Sequence, residues 1–596
     1  MAGARYMQPE QVNILDRELW SSFWKIARPY WSSDEKIRAR ALLITLALLL
    51  IGTTALSVTI SYAVRDLMTA LSEKDIDAFK NSLWLCLGVF VIATPVSTLF
   101  DYTRRLLSTF WREWLTRAFL AEYFSNRAYF NISHESDIDN PDQRISQDVA
   151  SFTSTSLDFL TEILASMIQL IVFIGVLWSI SSLLVLILVA YAALGTIVVV
   201  MFGKKLINLN FLQLKREADL RYGLVHVRNN VESIAFFGGE DKEKQNIQNR
   251  LHQAIQNFRN LITWQKNLAF FTFGYQYLIQ VLPIAIMAPL YFSDEIKFGV
   301  VTQASGVFAT VLAALTLIVT KIESLSQFAA GITRLETFKT ALLHASRSSQ
   351  QPLSPSVMSR HGSDTEQTLS ALPAAGNPSE ISFIETPTLA LHQVTIYTPK
   401  RERVLLLDAT VEVAQGSSMI ILGPSGSGKS SILRVFSGLW RTGEGVVNRP
   451  SLSDIFFLPQ RPYMILGTLR EQLLYPFTAQ HIKDHQLEDV LETVNLANLI
   501  ERVGGLDVTL PWAEMLSLGE QQRLSFARLL LSQPRYAMLD ESTSALDEKN
   551  EGRLYGLLKE AGITYISVGH RQSLLQYHAT SLELDGTGRW THQQLS

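Results

Sequence analysis

The sequence predicts two fused parts: an α-helical membrane domain of six spans, then a soluble α/β domain with a phosphate-binding loop. Three observations carry this. Uncharged apolar stretches, one of them double length, fill the chain up to about residue 325, and each is long enough to cross a bilayer. A Ser-, Pro-, Gln- and Thr-rich stretch follows from Ser346 to Glu380. Beyond it, a short β-like run leads straight into Gly423-Pro424-Ser425-Gly426-Ser427-Gly428-Lys429-Ser430. The 596 residues are 47% hydrophobic and only 18% charged, where soluble domains carry roughly a quarter. That excludes a disordered or fibrous chain. A net charge of −3 gives no sign of a nucleic-acid partner. The single cysteine, Cys86, excludes an intramolecular disulfide framework and a multi-cysteine zinc site.

The uncharged stretches are Ala41–Val64, Asn81–Phe100, Ile163–Gly203, Asn267–Ser293 and Phe298–Thr320. The third is about twice the roughly 20 residues that a span needs. Ser179-Ile180-Ser181-Ser182 near its middle turns it into a hairpin, giving six spans over residues 41–343. Basic residues set the orientation. They crowd the head and the segments 101–162 and 204–266, as Arg104, Arg105, Arg112, Arg117, Lys204, Lys205, Lys215 and Arg216. Both ends are therefore expected in the cytoplasm. The two inner segments read as helices prolonged beyond the membrane, with short turns at their tips.

The N-terminus is polar and lacks the early apolar core of a cleaved signal peptide. Within residues 1–40, Leu15–Arg28 reads as an interfacial helix. Trp20, Phe23, Trp24 and Ala27 fall on one face, with Lys25 and Arg28 beside it to meet lipid headgroups. An ordinary amphipathic helix packed on protein is the alternative. Pro29 is expected to end or kink it. Residues 344–384 read as a flexible linker, and 385–596 as the α/β domain, with strands at Leu389–Tyr397, Val404–Val413 and Ser418–Leu422. No internal repeat is visible.

The loop Gly423–Ser430 fits G-x-x-x-x-G-K-[ST], with a strand before it and a helix after. Its glycines let backbone N–H groups wrap phosphate oxygens, and the helix presents its positive end to them. Lys429 is expected to reach the β- and γ-phosphates of ATP, and Ser430 to hold Mg²⁺; Ser431 follows in the same turn. Further on, Tyr536-Ala537-Met538-Leu539 runs into Asp540-Glu541. A buried strand ending in two carboxylates offers a magnesium partner, Asp540, and a base for water, Glu541.

Leu516-Ser517-Leu518-Gly519-Glu520-Gln521-Gln522-Arg523 resembles the signature motif of ABC transporters. Other marks of that family stand in order. Gln460 resembles its glutamine loop, Ser544-Ala545-Leu546-Asp547 its D-loop, and His570 its switch histidine. The resemblance implies that Gln460 also touches Mg²⁺ and that Tyr397 stacks on adenine; a core or edge-strand tyrosine is the other reading. It further implies a half-transporter of exporter type that works as a dimer, most simply of two identical chains. Each ATP would be sandwiched between one phosphate loop and the partner's Ser517, Gly519 and Glu520. Leu518 departs from the pattern, where glycine is usual.

Several stretches resemble subfamily D, which includes peroxisomal acyl-CoA carriers and the lysosomal cobalamin transporter. They are Gln460–Met464, Gly467–Gln472 and Asp585–Trp590. Asp139–Val149 and Gly569–Leu574 resemble the cobalamin branch, whereas Phe23–Trp31 is closer to bacterial relatives. Asn140, Pro141 and Gln143 fit a capped short helix at an inner tip. In the resembling family such tips dock on the nucleotide domains. Glu232–Gly239 resembles a second subfamily-D element. The expectation is an ATP-driven carrier of cobalamin or another bulky hydrophilic solute, set in a bacterial inner membrane. Acyl-CoA or peptide carriage, or a membrane ATPase regulating a partner, are its rivals. Gln169, Gln276, Gln280 and Gln303 serve either interhelical hydrogen bonds or a hydrophilic path.

Overall fold

A computed structural model describes residues 17–135, 138, 141–348, 380–399, 401–476 and 482–595. The chain divides into two compact units, Met1–Met358 and Ser359–Ser596.

The first unit is helical. Its helices are α1 (Arg17–Ser32), α2 (Lys36–Glu73), α3 (Ile76–Phe124), α4 (Ala128–Glu135), α5 (Pro141–Gln143), α6 (Val149–Ile180), α7 (Ser182–Asn229), α8 (Val231–Phe237), α9 (Glu240–Phe292), α10 (Phe298–Thr320) and α11 (Ile322–Ser348). Each expected span lies in one of six of them: α2, α3, α6, α7, α9 and α10. The chain breaks between α6 and α7 at Ser181, whose backbone is extended and whose hydroxyl caps the Leu184 N–H. With 53 residues, α9 runs to about 80 Å, far beyond a 30 Å hydrocarbon core.

Close approaches fix the bundle. At Gly299 of α10 a methyl would lie 2.0 Å from the Arg65 carbonyl oxygen of α2, so only glycine fits there. Between α7 and α9, Tyr191 and Tyr275 stack at 4.1 Å and exchange hydrogen bonds, each hydroxyl donating to the other's backbone carbonyl. Gln303 is buried and donates to Ser61 Oγ at 3.3 Å, the interhelical role. Gln169 is half-buried, and Gln276 and Gln280 are exposed.

Helix α1 departs from the expected face. Ile26, Ala27 and Tyr30 are buried and Phe23 packs on Phe152 and Phe328, while Trp20 and Trp24 stay exposed. One flank thus packs on protein and another remains free. Pro29 neither ends nor interrupts the helix, which runs to Ser32. The missing N–H would leave the Lys25 carbonyl orphaned four residues back; Lys339 Nζ of α11 donates to it at 3.1 Å. Lys25 pairs with Glu336 at 2.8 Å, a second tie to α11.

The first inner tip also differs. Asn140 lies outside the described residues. From Pro141 the chain continues without a break, through one π-helical turn at Arg144–Asp148, into α6. The wider turn points Arg144 and Asp148, both buried, at α11. Arg144 Nη1 donates to the Arg334 carbonyl at 2.8 Å, and Arg334 Nη2 to Asp148 Oδ1 at 2.8 Å. At the second tip, α8 ends on Gly238 in the left-handed region, with Phe236 and Phe237 bare.

In the second unit the strands are β1 (Ser382–Glu385), β2 (Leu389–Tyr397), β3 (Val404–Val413), β4 (Ser418–Leu422), β5 (Gly443–Arg449), β6 (Ile455–Leu458), β7 (Tyr536–Asp540), β8 (Thr564–Val568), β9 (Thr580–Leu584) and β10 (Trp590–Gln594). Its helices are α12 (Lys429–Phe436), α13 (Leu469–Leu474), α14 (Asp484–Thr493), α15 (Leu499–Val503), α16 (Trp512–Met515), α17 (Leu518–Ser532) and α18 (Glu548–Glu560). The expected linker is shorter at both ends: α11 runs to Ser348, and β1 pairs in parallel with β5 from Ser382. Residues 349–379 lie outside the described ones. One sheet has the order β1-β5-β2-β3, the other β10-β9-β4-β8-β7-β6. In the second, β9, β4, β8, β7 and β6 are parallel. Met419, Ile420 and Ile421 of β4 and Met538 and Leu539 of β7 are almost wholly buried, the continuous apolar run of a sheet covered on both faces.

Candidate functional site

Parallel pairing brings four loops to one edge. The phosphate loop follows β4, His570 follows β8, Asp540 and Glu541 end β7, and Gln460 follows β6. Ligand sites of open α/β sheets lie at these carboxyl ends.

Gly423, Gly426 and Gly428 have φ of +141°, +76° and +103°, which a side chain would strain. At Gly423 a methyl would also lie 2.5 Å from the Leu584 carbonyl oxygen. Pro424 accepts from the Ser427 N–H and Gly428 from the Ser431 N–H, closing the loop onto α12; Ser425 lies between. Lys429 folds back, its Nζ 2.9 Å from the Gly423 carbonyl and 2.8 Å from that of Pro424. Burial lowers its pKa, although Glu541 and Asp540 act to raise it. Ser427 Oγ is buried and has no protein partner among the described residues, a polar atom facing the loop that a phosphate would satisfy.

Ser430 Oγ donates to Asp540 Oδ1 at 2.8 Å. Burial raises the Asp540 pKa, with the Ser430 hydrogen bond opposing. Glu541 sits at φ +47° and takes a contact on each oxygen. Gln460 Nε2 donates to Oε2 at 2.8 Å, and His570 Nε2 lies 2.9 Å from Oε1. The structure therefore unites Lys429, Ser430, Asp540, Glu541, Gln460 and His570. Tyr397 ends β2, and the Arg401 guanidinium stands over its ring at 5.6 Å.

Ser517, Gly519 and Glu520 stand apart from this cluster in their contacts. Ser517 caps α17 in a reciprocal box with Glu520. Burial pushes the Glu520 pKa up, but hydrogen bonds from Arg502 and Ser517 outweigh it and hold the carboxyl low. Leu518 occupies the first turn of α17 and is not among the residues of positive φ, so the turn does not require the glycine that it replaces.

Two buried groups went unassigned in the sequence. Arg528 on α17 donates from Nε to the Gln472 carbonyl (2.5 Å), from Nη1 to the Tyr463 carbonyl (2.7 Å) and from Nη2 to Gln472 Oε1 (2.8 Å). Burial pushes its pKa down to about 10. It ties α17 to the segment just after Gln460. The signal was a lone cation inside Leu524–Leu531, since a buried arginine needs partners. Gln522, wholly buried, accepts from the Ala545 N–H at 3.0 Å and donates to Ser544 Oγ at 3.2 Å.

Comparison with known proteins bears on the family and the fold. The family model described as ABC transporter transmembrane region 2 matches residues 26–292, and the one described as ABC transporter matches 406–544. An uncharacterized ABC transporter ATP-binding protein of Synechocystis is 45% identical over 94% of this chain and 83% of its own. ABC transporter D family member 2, chloroplastic, of Arabidopsis thaliana is 39% identical over 97% and 88%. The human lysosomal cobalamin transporter ABCD4 is 32% identical over 95% and 94%. The structure of a bacterial Atm1-family ABC exporter with ATP bound aligns over 94% of this chain and 96% of that one, with a TM-score of 0.68 and 18% identity, a likeness of fold. With a helical unit in which six helices carry the apolar runs, a glycine-rich loop and carboxylates at one sheet edge, and relatives matched over nearly its whole length, the chain belongs to the ABC transporters, as an exporter-type membrane domain fused to one ATP-binding domain.

Proposed function

We propose that two copies of this chain form an ATP-driven carrier for cobalamin or another bulky hydrophilic solute. The observation that carries the ATPase assignment is Glu541, held between Gln460 and His570 beside the Ser430–Asp540 pair. ATP lies along Gly423–Ser431, with Lys429 released from its two carbonyls to the β- and γ-phosphates and Tyr397 against the adenine. The hard oxygens of Ser430 and Asp540 suit Mg²⁺. Gln460 turns its amide nitrogen to Glu541, which leaves its oxygen for the cation. Bound there, Mg²⁺ neutralises phosphate charge. Glu541 orients the attacking water and takes its proton, while His570 fixes the carboxylate. In the dimer, Ser517, Gly519 and Glu520 of one copy complete the site of the other.

A stripe on α9 supports the dimer. Leu251, Ile255, Phe258 and Ile262 follow helical spacing in a segment rich in charge, and all four are exposed within the single chain. A bare apolar stripe outside the membrane marks a surface that another element covers. The 32% identity to a cobalamin transporter over 95% of the chain supports the solute class. The bacterial relative, 45% identical, supports a bacterial inner membrane, and the basic segments support an ATP-binding domain in the cytoplasm.

The test is ATP-dependent movement of labelled cobalamin in proteoliposomes, with Glu541→Gln beside the wild type. Movement that the variant loses supports the reading. ATP hydrolysis without cobalamin movement overturns the solute assignment in favour of acyl-CoA, peptide or a regulatory ATPase. Wild-type turnover by Glu541→Gln overturns the assignment of the base.

A further inference from the structure

The residue after His570 makes contacts that the ATPase cycle above does not use. Arg571 reaches the 544–547 turn. Its Nη2 donates to the Ser544 carbonyl at 2.8 Å, and its Nη1 to the Leu546 carbonyl at 2.8 Å. Nη1 also lies 3.3 Å from Glu551 Oε2. Glu551 is 1% exposed and accepts from Thr543 Oγ1 at 3.1 Å and from Ser573 Oγ at 3.0 Å. A buried carboxylate thus anchors one planar fork, which in turn grips two backbone carbonyls of the turn.

The other side of the same turn is held by α17. Gln522 clasps Ser544 and Ala545. Gly519 lies so near that a methyl there would be 3.2 Å from the Ala545 carbonyl oxygen. The turn 544–547 is therefore fixed between the loop that delivers His570 to Glu541 and the helix whose N-terminus carries Ser517. Displacing either side shifts the backbone shared by both.

We propose that Arg571 is a positioning residue for ATP hydrolysis: it locks the 544–547 turn to the His570 loop, so that His570 reaches Glu541 only when this turn is in place. The inference rests on the ATPase reading above. It asks for a fork rather than a charge. Two carbonyls and one carboxylate reached from two separate nitrogens suit a guanidinium, whereas an ammonium is a point donor. Arg571 is a partly exposed side chain (42%), so the space it leaves is open to a small solute.

The test uses the full chain in lipid nanodiscs, comparing wild type, Arg571→Ala and Arg571→Lys. Steady-state ATP turnover, equilibrium ATP binding and thermal unfolding are read on each. A lost positioning contact lowers kcat by about tenfold or more with KM and ATP affinity within about twofold, since the ground-state site is untouched. Millimolar guanidinium, below the level that shifts the unfolding temperature, restores part of the Arg571→Ala rate and leaves the wild type unchanged. Arg571→Lys stays impaired. Wild-type kcat in Arg571→Ala overturns the proposal. So does a loss that guanidinium does not repair and that falls equally on ATP affinity and unfolding temperature, because that is a folding defect alone. Absence of turnover in the wild type overturns the ATPase reading as well, and is told apart by the wild-type arm.

Discussion

Replacing Arg528 by Met removes a guanidinium that satisfies three acceptors at once. The cost follows from what each acceptor has left. Gln472 Oε1 keeps the Ile465 N–H at 3.1 Å. The Gln472 carbonyl has no substitute, because the residue four places on is Pro476, which carries no N–H. The Tyr463 carbonyl loses the Arg528 donor as well. Two orphaned carbonyls cost about 1–3 kcal/mol each, and relief of the buried charge returns part of that, for a net loss of about 3 kcal/mol. In a domain of this size that lowers the unfolding temperature by about 6–12 °C. The assay is thermal unfolding of the solubilised full chain, following the transition that added ATP shifts upward. An unchanged or raised temperature would refute the reasoning, and would mean that burying the guanidinium costs as much as its hydrogen bonds contribute.

Three further outcomes are expected. Gly299→Ala places a methyl 2.0 Å from the Arg65 carbonyl oxygen and 2.2 Å from Thr69 Oγ1; overpacking of about 1–3 kcal/mol should reduce the folded fraction after detergent extraction, read by size exclusion. His578 is buried neutral, its Nδ1 donating to the Leu574 carbonyl and its Nε2 accepting from Ser567, and burial lowers its pKa to about 4. The unfolded chain binds a proton below about pH 6.5 that the folded chain refuses until about pH 4, so stability is lost across that window by up to about 3 kcal/mol as pH falls; unfolding temperature against pH should flatten in His578→Asn. Leu518→Gly should cost less than about 1 kcal/mol of stability and leave ATP turnover in place, because the turn already accepts a side chain; loss of turnover would show that Leu518 itself acts in the site.

The spans were legible because a bilayer demands long uncharged runs, and the break at Ser181 because serines interrupt one. The glycine turn after β4 and the placing of Asp540 and Glu541 at the end of β7 were legible because each follows a short apolar run that reads as a buried strand. What stayed hidden depends on residues far apart in the chain. The passage of α1 through Pro29 rests on Lys339, and the fixing of Arg528 on Gln472 and Tyr463. The face of α1 was misplaced for a related reason: Trp20 and Trp24 share helical spacing with Phe23, but only the flank bearing Ile26 and Tyr30 finds a partner. The first tip was read as a separate helix, since the sequence does not reveal a π turn that lets the chain run on unbroken. Arg571 stood in view inside a motif, yet its contacts with the 544–547 turn exist only in three dimensions.

Glu541 holds a left-handed backbone, at φ +47°. For a residue with a Cβ that conformation costs about 1–2 kcal/mol, and glycine is largely spared it. The domain bears this cost whether or not it is turning over. A selection for heat resistance alone would therefore favour glycine here and discard the very carboxylate that the site is built around. On the role proposed for Glu541, stability and catalysis pull this one position in opposite directions, and the glutamate is a choice that folding by itself would not make.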